Sequence, residues 1–174
     1  MTWNGTSPQF ATHPGNDRRL GYVPDLLSVL IGEIDILPKL YSQVLVPAAV
    51  IAELVHEHAP GAVRNWAANL PSWISAQQNP SGAIVGMEKL QAGEQAAILL
   101  AESIPADMIL LDEKSARRVA ADRGLRITGT LGVLGEAAAR GLVDLAASID
   151  QLRKTSFRYS PALLKATLDR FGKR

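Results

Sequence analysis

Short apolar segments alternate with helical segments across residues 44–140, and this alternation constrains the fold more than any other feature of the sequence. Residues 108–111 form an apolar run without polar alternate positions, which is typical of a central parallel strand. Gly124 and Gly141 follow two of the helical segments, in the position where glycine commonly ends a helix. Strands separated by helices pair in parallel through crossover connections. The sequence therefore predicts an α/β fold, a three-layer α/β/α sandwich around a mainly parallel sheet, with a C-terminal helical extension.

The 174 residues are enough for one domain, and composition divides the chain into three parts. Residues 1–24 are rich in Gly, Pro, Thr and Asn without a persistent period, so we expect an irregular segment there. Residues 25–150 are expected to form the α/β domain, and residues 151–174 a basic helical tail. The predicted strands are residues 44–46, 73–76, 108–111 and 126–128. Residues 26–40 are predicted to form one helix and then a short helical turn, because Gly32 and Pro38 interrupt the pattern. The other predicted helices are residues 48–57, 65–70, 93–102, 113–123, 130–140, 142–152 and 160–171.

The composition excludes several classes of protein. Because the chain has no cysteine, it has no disulfide, no thiolate nucleophile and no Cys-ligated zinc or iron site. The longest uncharged stretch, residues 65–87, is interrupted by Pro71 and Pro80 and does not resemble a transmembrane helix. The first residues have neither a basic start nor an apolar run, so they do not resemble a secretory signal. We expect a cytoplasmic protein that does not associate with a membrane.

The net charge of +1 averages two halves of opposite sign. Residues 1–112 contain 5 basic and 11 acidic side chains, and residues 113–174 contain 13 basic and 6 acidic ones, so the halves carry −6 and +7. The basic half could hold phosphate groups, present a solvated helix face or bind an acidic partner. Phe157, Tyr159 and Phe171 lie among its last basic residues and could stack on nucleobases or pack the last helix. Those basic residues are Arg153, Lys154, Arg158, Lys165, Arg170, Lys173 and Arg174.

Three acidic residues are candidates for a functional site, because ligands of an open parallel sheet bind at the carboxyl ends of the strands. Asp112 directly follows a predicted strand, Glu53 lies in the helix after another strand, and Glu94 begins a helix. Each also has a structural interpretation. Asp112 could cap a helix, Glu53 could be a solvated helix residue, and Glu94 could be a first-turn acid that favours the helix dipole.

If these carboxylates converge, their mutual repulsion favours a shared cation, and hard oxygen ligands select Mg²⁺ or Mn²⁺. Such a site would activate water and neutralise phosphate charge, which is the chemistry of phosphodiester hydrolysis. Thr130 opens a helix directly after a strand, where backbone N–H groups could approach a phosphate. Glu53 and His56 have the Glu-x-x-His spacing of di-iron sites, and His56 and His58 could form a metal clip, but the second copy of the motif is absent.

Four ordered blocks of the chain resemble the PIN-domain superfamily, and are most similar to its prokaryotic branch of VapC-toxin-like proteins formerly of unknown function. The blocks are LYSQVLVPAAVIAEL at residues 40–54, GEQAAI at 93–98, LLDEKSARRVA at 110–120 and ITGTLGVL at 127–134. The resemblance covers residues 34–145 and implies a nuclease fold with an acidic Mg²⁺ or Mn²⁺ site. It implies that Glu53, Glu94 and Asp112 are catalytic metal ligands and that Thr130 contacts phosphate or water near them.

The sequence departs from the family at its start. Family members open with a short apolar strand that ends in Asp and is followed by Thr-Ser-Pro or Ser-Ser-Pro, whereas here Gly5 precedes Thr-Ser-Pro and residues 1–3 are too short for a central strand. Asp25 is the plausible stand-in for the aspartate, and hence a further candidate metal ligand. The resemblance therefore leaves two functions open: a metal-dependent endoribonuclease, or a catalytically impaired module that binds RNA or a protein partner.

The first of these functions carries specific expectations about partners. The resemblance implies the toxin of a type II toxin–antitoxin system, with an RNA substrate, a small antitoxin protein as partner and a homodimeric assembly. The candidate RNA-binding residues are Arg117, Arg153, Lys154 and Arg158.

Overall fold

A computed structural model describes residues 19–21, 32–82, 86–104 and 106–172, and its centre is a parallel sheet. The strands run in the order β3-β2-β1-β4-β5, and each neighbouring pair is parallel. This confirms the predicted α/β fold and parallel pairing. The strands are β1 (Arg19–Gly21), β2 (Gln43–Pro47), β3 (Ile74–Gln77), β4 (Met108–Leu110) and β5 (Ile127–Thr128).

Strand β1 occupies the middle of the sheet, and it corrects one expectation from the sequence. Leu20 pairs with Val44 of β2 on one side and with Met108 of β4 on the other. Residues 1–24 are therefore not irregular throughout, and they do supply a central strand. The three residues of β1 are too few to show a period, and pairing on both sides, which the local pattern does not reveal, satisfies their backbone. Gly5 and Asp25 lie outside the described residues.

The helices follow the predicted order with shifted ends. A 3-10 turn at Ile34–Ile36 leads into the first helix, and residues 26–31 of the helix predicted there lie outside the described residues. Gly124 and Gly141 have φ values of +74° and +69°, which confirms them as residues that end helices. The helices are α1 (Leu37–Leu40), α2 (Ala48–Val55), α3 (Gly61–Ala67), α4 (Ala92–Ser103), α5 (Lys114–Asp122), α6 (Thr130–Ala139), α7 (Leu145–Arg153) and α8 (Pro161–Phe171).

Two buried clusters lie on opposite faces of the sheet. Ile109 belongs to a cluster with residues of α4 and α5, whereas Leu110 belongs to a cluster with residues of α1, α6 and α7. Because successive side chains of a strand point to opposite faces, the two clusters must flank β4. Helices therefore cover both faces, as the predicted three-layer arrangement requires.

The C-terminal segment, residues 151–172, packs against the domain rather than extending from it. Ser160 caps α8 by accepting a hydrogen bond from Leu163 N at 3.1 Å, which confirms the predicted start of this helix. The ring of Phe171 lies against Gly135 of α6 and leaves no room for a Cβ atom there. Thr167, also in α8, is buried. In the described residues, no helix is long and apolar enough to cross a membrane.

Candidate functional site

Asp112 follows β4 and reaches across to the first residue of α6. Its Oδ1 accepts a hydrogen bond from Thr130 N at 2.9 Å, and its Oδ2 accepts one from Thr130 Oγ1 at 2.5 Å. Gly129, the residue before α6, has no side chain with which to cap this helix. Asp112 therefore acts as the cap from 18 residues away, with its charge beside the positive end of the helix dipole.

The structural interpretation of Asp112 as the N-cap of α5 is wrong. Glu113 fills that position, and its carboxylate accepts hydrogen bonds from Ser115 N at 2.5 Å and Ala116 N at 3.0 Å. The hydroxyl of Ser115 also donates to Glu113, and this bond is the main cause that lowers the pKa of the Glu113 carboxyl group. Because Glu113 caps α5, the Asp112 side chain is directed to Thr130.

Gly129 is enclosed by the groups that surround Asp112. A Cβ atom on Gly129 would lie 2.8 Å from Asp112 Oδ1 and 2.9 Å from Arg117 Nη1. These neighbours are themselves held, Asp112 by Thr130 and Arg117 by two backbone carbonyls. The close approach of Asp112 to the start of α6 therefore requires glycine at this position.

Arg117 joins the carboxyl ends of two neighbouring strands. Its Nη1 donates to Leu111 O at 2.7 Å, just beyond β4, and to Thr128 O at 3.1 Å in β5. The sequence suggested Arg117 as an RNA contact, but these bonds give it a positioning role at the sheet edge. The guanidinium also lines the cavity described below, so it adds positive charge there.

Glu53 and Glu94 lie together at the amino end of α4. Glu53 Oε1 accepts a hydrogen bond from Gly93 N at 3.1 Å, although the two residues are 40 positions apart. Glu94 Oε2 accepts one from Gln91 N at 3.0 Å, as half of a capping box in which the Gln91 side chain also accepts from the backbone of Glu94. Glu53 is therefore not simply a solvated helix residue, and Glu94 is a buried first-turn acid with a local capping role.

The predicted metal site combines these glutamates with Asp112. Carboxylate oxygens suit Mg²⁺ or Mn²⁺ chemically. Among residues 19–21, 32–82, 86–104 and 106–172, no three His, Asp or Glu side chains are grouped so that they could hold a metal ion. His56 and His58 are no exception: their ring centroids are 5.0 Å apart and they lie beside Glu53, but they do not form such a group. The metal site formed by Glu53, Glu94 and Asp112 therefore stays a prediction. The role of Asp25 as a further metal ligand also stays a prediction, because Asp25 lies outside the described residues.

A cavity of about 300 Å³ opens beside Asp112, between the edge of the sheet and the C-terminal segment. Phe157, Tyr159 and Phe171 contribute its aromatic lining, and Arg158 and Arg170 contribute positive charge in addition to that of Arg117. Of the predicted RNA contacts in the C-terminal segment, Arg158 lines this cavity.

The other two predicted RNA contacts of this segment are absent from the lining. Arg153 forms an ion pair with Asp150 at 3.1 Å, and Lys154 donates to Gln151 Oε1 at 3.4 Å. Sequence reasoning did not single out Arg170 as a site residue. The available signal was that basic and aromatic residues alternate toward the end of the chain.

The comparison with protein families agrees with this arrangement. A family model described as a PIN domain matches residues 27–173, which is most of the chain. The chain belongs to the PIN-domain family. The match includes the C-terminal segment, beyond the range of the resemblance found in the sequence. No curated protein and no solved structure matches the chain. PIN domains are generally nucleases, so the fold is that of a nuclease-like domain.

Proposed function

We propose that the chain is a metal-dependent endoribonuclease and the toxin of a type II toxin–antitoxin system. The observation that carries the proposal is the position of Asp112. Its carboxylate, fixed by Thr130, faces a cavity whose lining includes Arg158 and Arg170. A carboxylate is suited to a cation, and guanidinium groups are suited to the phosphates of RNA.

The proposed ligands of the cation are Glu53, Glu94, Asp112 and Asp25. When bound, Mg²⁺ or Mn²⁺ would supply an activated water and neutralise phosphate charge. The chain itself would orient the site: Thr130 holds both oxygens of Asp112, and the amino end of α4 holds the two glutamates. Thr130, predicted to contact phosphate or water, is on this account chiefly a positioning residue for Asp112.

Cleavage of a mixed-sequence RNA with Mn²⁺ tests the proposal. We expect Asp112→Asn to lower the cleavage rate by at least about 100-fold, because the amide can still accept from Thr130 but supplies no negative charge to a cation. The matched control is Asp122→Asn, since Asp122 is an exposed carboxylate at the end of α5 and is absent from the cavity lining. Full metal-dependent activity in Asp112→Asn would contradict the proposal.

A second candidate is a PIN module that binds RNA or a protein partner without cleaving it. The lack of a three-ligand group within the described part of the chain favours it. Calorimetry with Mn²⁺ separates the two functions. Stoichiometric binding that disappears in Glu53→Ala decides for the metal site and against the non-catalytic module.

The proposed partners are RNA, a small antitoxin protein and a second copy of the chain, in the cytoplasm. Arg153 and Lys154 are exposed, on α7 and at its end, and neither belongs to the cavity lining, although Arg153 contacts the hydroxyl of Tyr159. They are the basic residues proposed for antitoxin or distal RNA contacts. Deleting residues 151–174 would also remove α8 from α6, so charge-removing substitutions are the cleaner test. If Arg153→Gln with Lys154→Gln leaves both RNA and antitoxin binding unchanged, these two residues have no such role.

A further inference from the structure

The cavity beside Asp112 has features that a cation site alone does not need. Carboxylates and space for water would serve a cation, but this cavity also has an aromatic wall. Besides Phe171, the lining contains Phe157 and Tyr159, which form this wall with ring centroids 5.9 Å apart and ring planes inclined by 37°. The volume of about 300 Å³ lies at the lower end of small-molecule pockets. One small ligand with a flat apolar face therefore suits it.

The aromatic wall is held in place by the domain itself. Both rings are partly buried and pack against the cluster that contains α6 and α7. Phe157 N donates to Thr155 Oγ1 at 3.1 Å, and Arg153 Nε donates to Tyr159 Oη at 3.3 Å. Because the rings are ordered before a ligand arrives, binding costs less conformational entropy than it would on mobile side chains.

Two arginines that line the same cavity, Arg158 and Arg170, are not neutralised by a carboxylate of the described residues. Within the described residues, neither Arg158 nor Arg170 forms an ion pair, in contrast to Lys165, which pairs with Asp169 at 2.8 Å. Arg170 lies over the ring of Phe171, with 4.9 Å from its Cζ to the ring centroid. Both arginines are exposed and line the cavity. The cavity thus offers a flat apolar wall and unneutralised cations side by side, which matches a ligand with an aromatic ring and an anionic group.

We propose that this cavity is a subsite for one unpaired nucleotide of the substrate. Its base stacks on Tyr159, and its phosphate binds to Arg158 and Arg170, next to Asp112. The inference rests on the proposed function, because it takes RNA as the substrate. The nucleotide must be unpaired, since a base within a duplex has no free face to stack on a side chain.

A ligand series in metal-free buffer tests the role of the base. The probes are the four nucleoside 5′-monophosphates, ribose 5-phosphate and inorganic phosphate, each titrated into the full chain by calorimetry. We expect at least one nucleotide to bind roughly 10- to 100-fold more tightly than ribose 5-phosphate, in keeping with the contribution of base–aromatic stacking. Equal affinities for nucleotides and ribose 5-phosphate, or no binding of any nucleotide, would overturn the subsite.

Two pairs of variants test the residues. Tyr159→Leu keeps an apolar side chain against the core but removes the ring, and should weaken nucleotide binding by about 10-fold or more, whereas Tyr159→Phe should retain it.

The second pair tests the charge. Arg158→Gln should weaken binding of the nucleotide by about 5-fold or more. Arg64 is an exposed arginine on α3, and Arg64→Gln should change this binding by less than about 2-fold. Equal affinities of Arg158→Gln and Arg64→Gln would contradict the assignment, and this pair decides if Tyr159→Leu does not fold.

Failure of the subsite and failure of the proposed function give different results. If the chain cleaves RNA but binds ribose 5-phosphate as tightly as nucleotides, the subsite is wrong and the nuclease proposal stands. If nucleotides bind with the expected dependence on Tyr159 and Arg158 but RNA is not cleaved with Mn²⁺, the subsite stands and the nuclease proposal is wrong.

Discussion

The amino ends of α4 and α6 each receive a carboxylate from a residue far away in the chain, but they depend on it differently. Helix α4 has its own capping box, formed by Gln91 and Glu94, and the bond from Gly93 N to Glu53 is an addition to it. Helix α6 begins after Gly129, which has no side chain, so Asp112 makes the only side-chain cap of its first turn that the described residues show. Asp112 therefore carries both a structural and a proposed functional role, whereas Glu53 is structurally more dispensable.

The largest expected effect separates these two carboxylates. Asp112→Ala removes two hydrogen bonds from a charged acceptor and leaves the fully buried Thr130 without that partner. We expect the free energy of unfolding to fall by about 2–4 kcal/mol, against about 1 kcal/mol for Glu53→Ala. Urea unfolding of both variants measures the difference. Equal losses would show that α6 does not depend on Asp112 more than α4 depends on Glu53.

The glycines that face the two carboxylates sharpen the comparison. A Cβ on Gly129 would meet Asp112 and Arg117, both held by hydrogen bonds, whereas the three atoms nearest to a Cβ on Gly93 all belong to the carboxylate end of Glu53. We expect Gly129→Ala to destabilise the chain by about 2 kcal/mol and Gly93→Ala by less than about 1 kcal/mol. Thermal unfolding of both variants provides the check, and the opposite ranking would contradict the rigid arrangement around Gly129.

Thr130 offers a smaller and more local change. Thr130→Val keeps the backbone donor and the shape but loses the hydroxyl that donates to Asp112 Oδ2 at 2.5 Å. We expect a loss of about 1 kcal/mol in unfolding free energy, with recovery of most of it in Thr130→Ser, which restores the hydroxyl. If serine and valine are equally destabilising, the hydroxyl bond to Asp112 contributes nothing to stability.

The smallest effect concerns Glu113, the acid adjacent to Asp112. The pKa of the Glu113 carboxyl group is lowered in the folded state, chiefly by the hydrogen bond from the Ser115 hydroxyl. The carboxylate therefore contributes its full stabilisation at pH values above the ordinary carboxyl pKa of 4.5. This contribution is lost as the pH falls through the lower pKa of the folded state. We expect Glu113→Ala to cost about 0.5 kcal/mol at neutral pH, because this cap is exposed, and less in acid.

Unfolding of Glu113→Ala and wild type across the pH range measures this cost, and Glu57→Ala, an exposed acid in a loop, is the control. A difference between Glu113→Ala and wild type that grows toward low pH would contradict the account.

The order of strands and helices could be read from the sequence because each element has a local signal. Apolar runs predicted β2 and β4, alternation predicted β3, and a short segment between two helices predicted β5. Gly124, Gly141 and Ser160 marked helix ends that the structure confirms. Strand β1 had no such signal, because its position depends on pairing with β2 and β4 rather than on its own three residues.

The site was predictable only in part, because its contacts join distant residues. Asp112 and Glu113 are adjacent and both suit a helix cap. Which of them turns to α6 depends on Glu113 capping α5 and on the lack of a side chain at Gly129, which is far along the chain. Likewise, Arg170 reaches the cavity because Phe171 packs against Gly135, a contact between two helices that no local pattern reveals.

A crystal structure of the chain soaked in Mn²⁺ tests the central claim most directly. We expect an anomalous density peak about 2.0–2.3 Å from an oxygen of Asp112, with Glu53, Glu94 or Asp25 completing the coordination. No peak at Asp112, or a peak held by His56 and His58 instead, would contradict the assignment of Asp112 to a metal-dependent nuclease site.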